Sequence, residues 1–480
     1  MSPVIHKRLS TWRLAAIAVL SVGIVLGWAK QAQTNSSELH LTPSALAFST
    51  VYQDAQHRCQ HLLEIGHNGH WCGELAYRPG FEQPPSIAQA ARMGIAEFAD
   101  PTHGVNANPN KELDWRWNYV TGLWGGHSVS HWWQSAMAMR TLVRYLTVTR
   151  NTDPGFQTIL MRTYNREIYN PFAIASPYFI NMFGDDTAWW GLAWLEAAKY
   201  ELNVRHDLPS ATRFLKLAQH DANYLAKAPR ACGGGVQWKL GHPPDTVTNA
   251  EYATLVGELY GFTSRPGPVY DARASRWLAE AQRTVAWLER KHLINVRTGT
   301  VRDTLNPTCK QLLAGGITYT QGQVADAFVQ LGTDLHDSTY FQQADAFLKW
   351  SLSKKSGEVS GQGIIQEPCE RDRDACTGLP TSLDVISWKG ILVEAISDYT
   401  TATGSPEYRD FLLHQAHVVV DNAIIQPDGQ PGNCDAPATC QFVFYWAWPL
   451  SPVRSSFVNH ATQMDALDAL TAALALPGGA

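Results

Sequence analysis

Six nearly uncharged helical segments, interleaved with amphipathic ones, predict an all-α protein built as an (α/α)6 barrel. Three observations carry that expectation. Apolar residues recur at i, i+3, i+4 and i+7 from residue 127 almost to the C-terminus, with no convincing strand alternation. The uncharged segments open with small or polar residues and recur roughly 55 to 75 residues apart. Between them lie segments with charge on one face only, at about 154–170, 207–227, 271–292, 337–353 and 406–423. A helix with few charges must be sheltered on most sides, an amphipathic one on a single side. Alternating the two gives six inner helices inside about six outer ones.

The inner segments begin near His127 (HSVSHWWQSAMAM), Gly184 (GDDTAWWGLAW), Thr248 (TNAEYATLVGELY), Thr318 (TYTQGQVADAFVQL), Asp384 (DVISWKGILVEAI) and Asn459 (NHATQMDALDAL). Their polar openings are expected at one mouth of the barrel, where a cleft can form. A helix over about 44–65 supplies an outer partner for the first of them. Residues 80–111 are rich in Pro, Asn and Gly and read as loop, with a short helix near 86–99. The aromatic stretch 434–452 fits either a cleft wall or packing against the barrel end.

The N-terminus carries an address. Lys7, Arg8 and Arg13 precede an apolar run over 14–29 that ends in Gly27-Trp28-Ala29, a small-x-small cleavage site. Residues 1–29 read as a secretory signal peptide, or as an uncleaved signal anchor, the one route to a membrane. Residues 30–43 form a polar tether, and 44–475 a single catalytic domain. The tail over 472–480 is too short for a lipid-anchor signal. A secreted or cell-surface monomer is expected.

Composition narrows the partners. The 480 residues are 45% hydrophobic and 17% charged, with a net charge of −5. No basic surplus exists to neutralise phosphates, so nucleic acid is not expected. The 18 Trp, 17 Tyr and 16 Phe supply aromatic faces suited to sugars, although part of that count belongs to a helical core. The eight cysteines suit disulfides in an oxidising compartment: Cys59 with Cys72, Cys369 with Cys376, Cys434 with Cys440, leaving Cys232 for Cys309. Cys59, His67, His70 and Cys72 could be drawn as a zinc site, but the glycines around them mark a loop and the cysteines fit a disulfide better. No metal or other cofactor is expected. Asn35-Ser36-Ser37 is a glycosylation sequon.

The chemistry concentrates at Asp185 and Asp186. On a helix Asp185 shares a face with Trp189, and Asp186 with Trp190. Two acids beside aromatic plates are the equipment of a glycosidase, which needs carboxyl groups of different basicity. Mutual repulsion would leave one of them protonated for acid catalysis. Taken alone, an Asp-Asp pair at a helix start also reads as a cap. Gln134, Asn249, Tyr319, Gln321, Asp384 and Lys389 sit at inner-helix openings, placed for hydroxyls or for bonds within the bundle. The loop Gly233 to Trp238 lacks the GK[ST] ending of a phosphate loop and brings backbone and Trp238 toward a ligand or helix. Terpene cyclases also use acidic α-barrels, but neither DDxxD nor DxDD occurs here.

At this point the chain resembles glycoside hydrolase family 76, the α-1,6-mannanases, and the related fungal cell-wall transglycosylases. The motifs are WWQSA (Trp132 to Ala136), DDTAWW (Asp185 to Trp190), GGGVQW (Gly233 to Trp238), TNA (Thr248 to Ala250), YTQG (Tyr319 to Gly322) and WKG (Trp388 to Gly390). They occur in family order over roughly 120–470. The resemblance implies an (α/α)6 fold and a retaining mechanism, with Asp185 as nucleophile and Asp186 as acid/base. It implies α-mannan as substrate and no required metal. Trp132, Trp133, Trp189, Trp190, Trp238 and Trp388 join the polar positions as expected substrate contacts. Three departures stand out: Thr320 where Asn is common, Val393-Glu394 where an Arg is common, and no second Asn after Asn249-Ala250. A transglycosylase using the same site and a non-catalytic glycan binder are the alternatives.

Overall fold

The structure is a computed structural model that describes residues 84–99, 132–167, 178–310, 312–315, 317–367, 370, 384–426, 431–446 and 460–478. Twelve α-helices dominate them: α1 (Ile87–Ala99), α2 (Trp132–Thr149), α3 (Pro154–Glu167), α4 (Gly184–Asn203), α5 (Leu208–Lys227), α6 (Thr246–Thr263), α7 (Ser275–Arg290), α8 (Thr318–Leu335), α9 (Ser338–Ser351), α10 (Lys389–Thr403), α11 (Pro406–Asn422) and α12 (His460–Leu474).

The even-numbered helices form a closed ring. Each packs on the next in the order α2, α4, α6, α8, α10, α12, and α12 returns to α2. Their burial follows from their composition: 15 of the 18 residues of α6 are buried, including polar Thr248, Asn249, Glu251 and Thr254. Close approach is built into the ring. A Cβ on Gly322 of α8 would lie 2.7 Å from the Leu392 Cα of α10, which only glycine avoids.

The odd-numbered helices form the outer layer. Helices α5, α7 and α9 lie on α4, α6 and α8, α11 lies on α10 and α12, and α1 lies on α12. Helix α3 reaches inward through Tyr164, whose ring lies 6.0 Å from Trp194 and 5.9 Å from Phe214. Helix starts are fixed by side chains. Asp207 accepts from the Ser210 N–H at 3.1 Å and Asp337 from the Thr339 N–H at 2.8 Å, filling donors that a first turn leaves open.

This is the (α/α)6 barrel that the sequence predicts, with refinements. The outer helix α1 is the short helix expected near 86–99; it is a member of the outer layer and not loop decoration. The helix expected over 44–65 lies outside the described residues, as do the signal segment, the tether, the sequon, Cys59, His67, His70, Cys72, Cys369 and Cys376. Strands do occur, against expectation: β1 (Arg230–Ala231), β2 (Gly235–Val236), β3 (Ile294–Asn295), β4 (Thr300–Leu305), β5 (Leu312–Gly315), β6 (Ile424–Ile425) and β7 (Gln441–Phe442). They pair antiparallel as β1-β2, β3-β4-β5 and β6-β7 in the connections between helices. Most are too short to show a period of two.

Two of the expected disulfides are present, Cys232–Cys309 and Cys434–Cys440. Phe442, Phe444, Tyr445 and Trp446 are buried, so the described part of the aromatic 434–452 stretch packs into the core. Trp190, Trp194, Trp277, Trp287 and Trp446 are fully buried as well, which places part of the tryptophan wealth in the core. No described helix is long and apolar enough to cross a membrane.

Candidate active site

The openings of the inner helices meet at one mouth. Helix α4 docks there against the loop after β2. The Gly184 N–H donates to the Trp238 carbonyl at 2.7 Å, and a Cβ on Gly184 would lie 2.9 Å from the Gln237 carbonyl. Glycine at 184 is therefore what lets the first turn of α4 come so near Trp238. The GGGVQW motif owes its glycines to the turn between β1 and β2: φ is +78° at Gly233 and +133° at Gly234, and a Cβ on Gly235 would strike Trp287. Asn249 holds the loop in place. Its side chain accepts from the Val236 N–H at 2.8 Å and donates to the Val236 carbonyl at 3.0 Å.

Asp185 and Asp186 are not the cap of α4. Phe183 occupies that position and makes no side-chain cap hydrogen bond. Asp185 is half-buried and accepts from the Trp238 Nε1–H at 2.9 Å and from the Asp186 N–H at 2.9 Å. Asp186 is 6% exposed and accepts from the Asn181 amide, whose oxygen in turn accepts from the Phe183 N–H at 2.8 Å.

The two carboxyls differ in their surroundings. Burial raises Asp185, N–H donation from Asp186 and Trp238 works against it, and the balance stands at about 6. Burial, and then the Asp185 charge, push Asp186 well above the ordinary carboxylate range. Among the described residues neither acid makes an ion pair. Further acids deepen the field: burial and the Asp185 charge raise Asp245 at the α6 cap and Glu251 one turn beyond Val247. Both Glu251 carboxylate oxygens are buried without a hydrogen-bond partner. Asp303 on β4 is raised by burial and bonds the Tyr319 hydroxyl, which lowers it in part.

Half-buried rings border the acids. Tyr319 stacks on Trp388 with centroids 4.7 Å apart. Trp133 donates through Nε1 to Asp384 at 3.1 Å and lies 6.2 Å from Trp189. The mouth thus gathers Asp185, Asp186, Trp133, Trp238, Tyr319, Asp384 and Trp388 from the residues picked out in the sequence. Such a surface offers CH-binding faces beside a donor-acceptor pair of carboxyls.

Other picked residues serve the scaffold. Trp190 is fully buried against Phe179 at 4.6 Å and Trp194 at 6.1 Å, so it presents no face to a ligand. Trp189 is 3% exposed. Gln134 donates to the Ser387 hydroxyl at 2.8 Å, and Gln321 to the Phe347 carbonyl at 3.0 Å. Lys389 is buried, 3.2 Å from Glu370 and under the rings of Phe444 and Trp446. Like Asn249, Gln134, Gln321 and Lys389 thus make their side-chain bonds within the barrel, the second of the two uses expected for them. Trp132 opens α2, and its side chain lies outside the description. Asn181, Asp245, Glu251 and Asp303 went unpicked. Asp245 had a signal, an Asp three residues before Thr248 at a helix start; Asn181 had none.

Among the described residues no group of three His, Cys, Asp or Glu is arranged to hold a metal. A double ring of helices whose mouth collects uncompensated carboxyls and open aromatic faces defines a carbohydrate-active barrel. A sequence model of Glycosyl hydrolase family 76 matches residues 107–477, and the chain belongs to that family. Mannan endo-1,6-alpha-mannosidase DCW1 of Candida glabrata is 25% identical over 281 residues, 53% of this chain and 59% of that protein. Among solved structures, Dfg5 from Chaetomium thermophilum in complex with glucosamine superposes with a TM-score of 0.62 at 19% identity, over 84% of this chain and 92% of that one. An inactive variant of the α-1,6-mannanase of Salegentibacter sp. HEL1_6, in complex with α-1,6-mannotriose, gives 0.56 at 17% identity, over 80% and 97%. At these identities the structural likeness is one of fold.

Proposed function

We propose that the chain is an exported endo-acting glycosidase that cleaves α-1,6-mannosidic bonds with retention, using Asp185 and Asp186. One observation carries the reading: two neighbouring acids at the mouth stand in unlike surroundings, and burial raises Asp186 further than Asp185. Asp185 receives two N–H donors that favour its carboxylate, and Asp186 is the acid kept protonated by burial and by Asp185.

The roles follow. The Asp185 carboxylate attacks the anomeric carbon, and the bond from that carbon to the glycosidic oxygen breaks. The Asp186 proton passes to the departing oxygen. A water then gives its proton to Asp186 and its hydroxide to the anomeric carbon, releasing Asp185. Trp133, Tyr319 and Trp388 would hold the sugar rings. The Salegentibacter variant described as inactive replaces two consecutive aspartates by asparagine, which supports the assignment to an adjacent pair. The two disulfides support export to an oxidising compartment.

The test is incubation with 1,6-linked mannan, with the product anomer followed by NMR. The α anomer should form first, and folded Asp185→Asn and Asp186→Asn variants should each lose on the order of 10²–10⁴ in kcat. Full activity in both variants would end the proposal. If a second glycan replaces water in the last step, the same site transfers instead of hydrolysing. Incorporation of a labelled mannooligosaccharide acceptor into product separates the two outcomes.

A further inference from the structure

We propose a second saccharide-binding site on the outside of the barrel, for a sugar that carries a phosphate group. A hollow of about 520 Å³ lies between α3 and α5, lined by Tyr164, Tyr178, Thr212, Arg213, Lys216 and His220. Its volume is in the range of small-molecule sites. None of these residues belongs to the acidic mouth.

Its chemistry is the reverse of the mouth's. Arg213 and Lys216 sit three apart on α5 and share a face, so their charges repel. Both are exposed, and among the described residues neither makes an ion pair. Two acids border the stripe. Asp207 is bonded by Ser210 and feels Arg205 and, more weakly, Arg213, and Asp221 is buried 3.8 Å from His220. An anion between Arg213 and Lys216 would relieve the repulsion, and a phosphate suits both a guanidinium fork and an ammonium point charge.

The walls add the sugar. The Tyr178 ring, 39% exposed, lies 4.5 Å from the His220 ring and offers an open face. Tyr164 carries the Arg213 guanidinium 5.4 Å from its centroid. Aromatic faces take the CH side of a pyranose while the cations take its phosphate. Tyr178 also leads, within three residues, to Asn181, the partner of Asp186. The hollow thus flanks the segment that holds the acid.

This goes beyond the mannanase reading and does not depend on it. The probe experiment uses the full chain with Asp185→Asn and Asp186→Asn, titrated by calorimetry with mannose 6-phosphate, mannose and inorganic phosphate in turn. Mannose 6-phosphate should bind more tightly than either of the others. R213A/K216A should weaken it about tenfold, as loss of charge-assisted bonds demands, and R213K/K216R should retain most of it. Tyr178→Ala should weaken mannose 6-phosphate and spare inorganic phosphate. Undiminished binding in R213A/K216A would overturn the site. Inorganic phosphate binding as tightly as the sugar phosphate would overturn its assignment to a saccharide. Because binding is read without turnover, failure here is distinct from failure of the mannan assay.

Discussion

Helix α4 passes through two buried clusters of carboxylates that are handled in opposite ways. At its start stand Asp185 and Asp186. Glu196 lies 11 residues on, roughly 16 Å along the axis. At Glu196 the barrel supplies cations: Arg140 sits 3.0 Å from Glu196 and 3.0 Å from Glu394, and Arg144 sits 3.1 Å from Glu196. Burial alone would raise Glu196, but Arg144 and Arg140 outweigh it and hold it below its ordinary value. At the mouth, among the described residues, no ion pair reaches Asp185, Asp186, Asp245 or Glu251; Arg140 lowers Glu251 only slightly against burial and the neighbouring acids, and all four are raised. Carboxylates are withdrawn from solvent in both places. Where cations answer the acids, the cluster joins α2, α4 and α10. Where the acids make no ion pair, the cluster holds protons that chemistry can use.

The largest way to break that contrast is to remove the cation. Arg140 is 1% exposed. Arg140→Ala would leave half-buried Glu196 and buried Glu394 with one fewer partner, and should cost about 3–5 kcal/mol, read from urea unfolding at pH 7. Glu394 and Asp326 are raised even now, because burial outweighs the two guanidiniums, so no spare charge is present to absorb the loss. A loss below about 1 kcal/mol would show that the matched cluster is not structural.

At the mouth the sign reverses. The folded protein holds the Asp185 proton more tightly than the unfolded chain, at about 6 against 3.8. That contribution is fully present below pH ~4 and is lost as pH rises through about 6. Asp185→Asn should therefore raise stability by about 1–3 kcal/mol at pH 7.5, and by little at pH 3.5. Thermal unfolding of the two proteins at both pH values checks it. Equal stability at pH 7.5 would mean that the carboxylate is not strained by its surroundings. The activity profile follows from the same groups: kcat/KM should rise through about 6 as Asp185 ionises and fall at higher pH as Asp186 gives up its proton.

A smaller change sharpens the comparison within the pair. Trp238→Phe keeps a ring of similar shape but deletes the N–H that reaches Asp185. Loss of a donor to a charged oxygen should raise the lower limb of the pH profile by roughly one unit, and reduce kcat/KM at pH 6 several-fold. An unmoved lower limb would take Trp238 out of the control of Asp185.

The ring architecture was legible in the chain because it is written in charge. Helices such as α6 and α8 lack charged residues on most sides, and α5 and α7 carry theirs on one side only. The acidic pair was legible because two aspartates preceded a run of tryptophans. What those tryptophans do was not legible. Trp133 and Trp190 both come from Trp-Trp pairs on inner helices, yet one is half-buried and bonded to Asp384 while the other is sealed in the core. Spacing fixes a helical face, but depth along the barrel decides whether that face meets solvent or a neighbouring helix. For the same reason Lys389 and Gln321 looked like ligand contacts and serve the scaffold. Glu394 also gains its meaning only in space: it pairs with Arg140, 254 positions earlier.

The last comparison sets the interior cluster against its surface counterpart. Lys349 and Asp345 on α9 form an (i, i+4) pair at 2.6 Å, shorter than any Arg140 contact, with the Lys349 side chain 57% exposed. Judged by distance alone it would outrank them. Water screens it, however, and Tyr408 also bonds Asp345 at 2.7 Å, so Asp345 is not stranded when the lysine goes. Lys349→Ala should therefore cost only about 0.2–0.5 kcal/mol, an order of magnitude less than Arg140→Ala in the same urea assay. A cost above about 2 kcal/mol would mean that separation, and not burial, sets the worth of ion pairs in this fold.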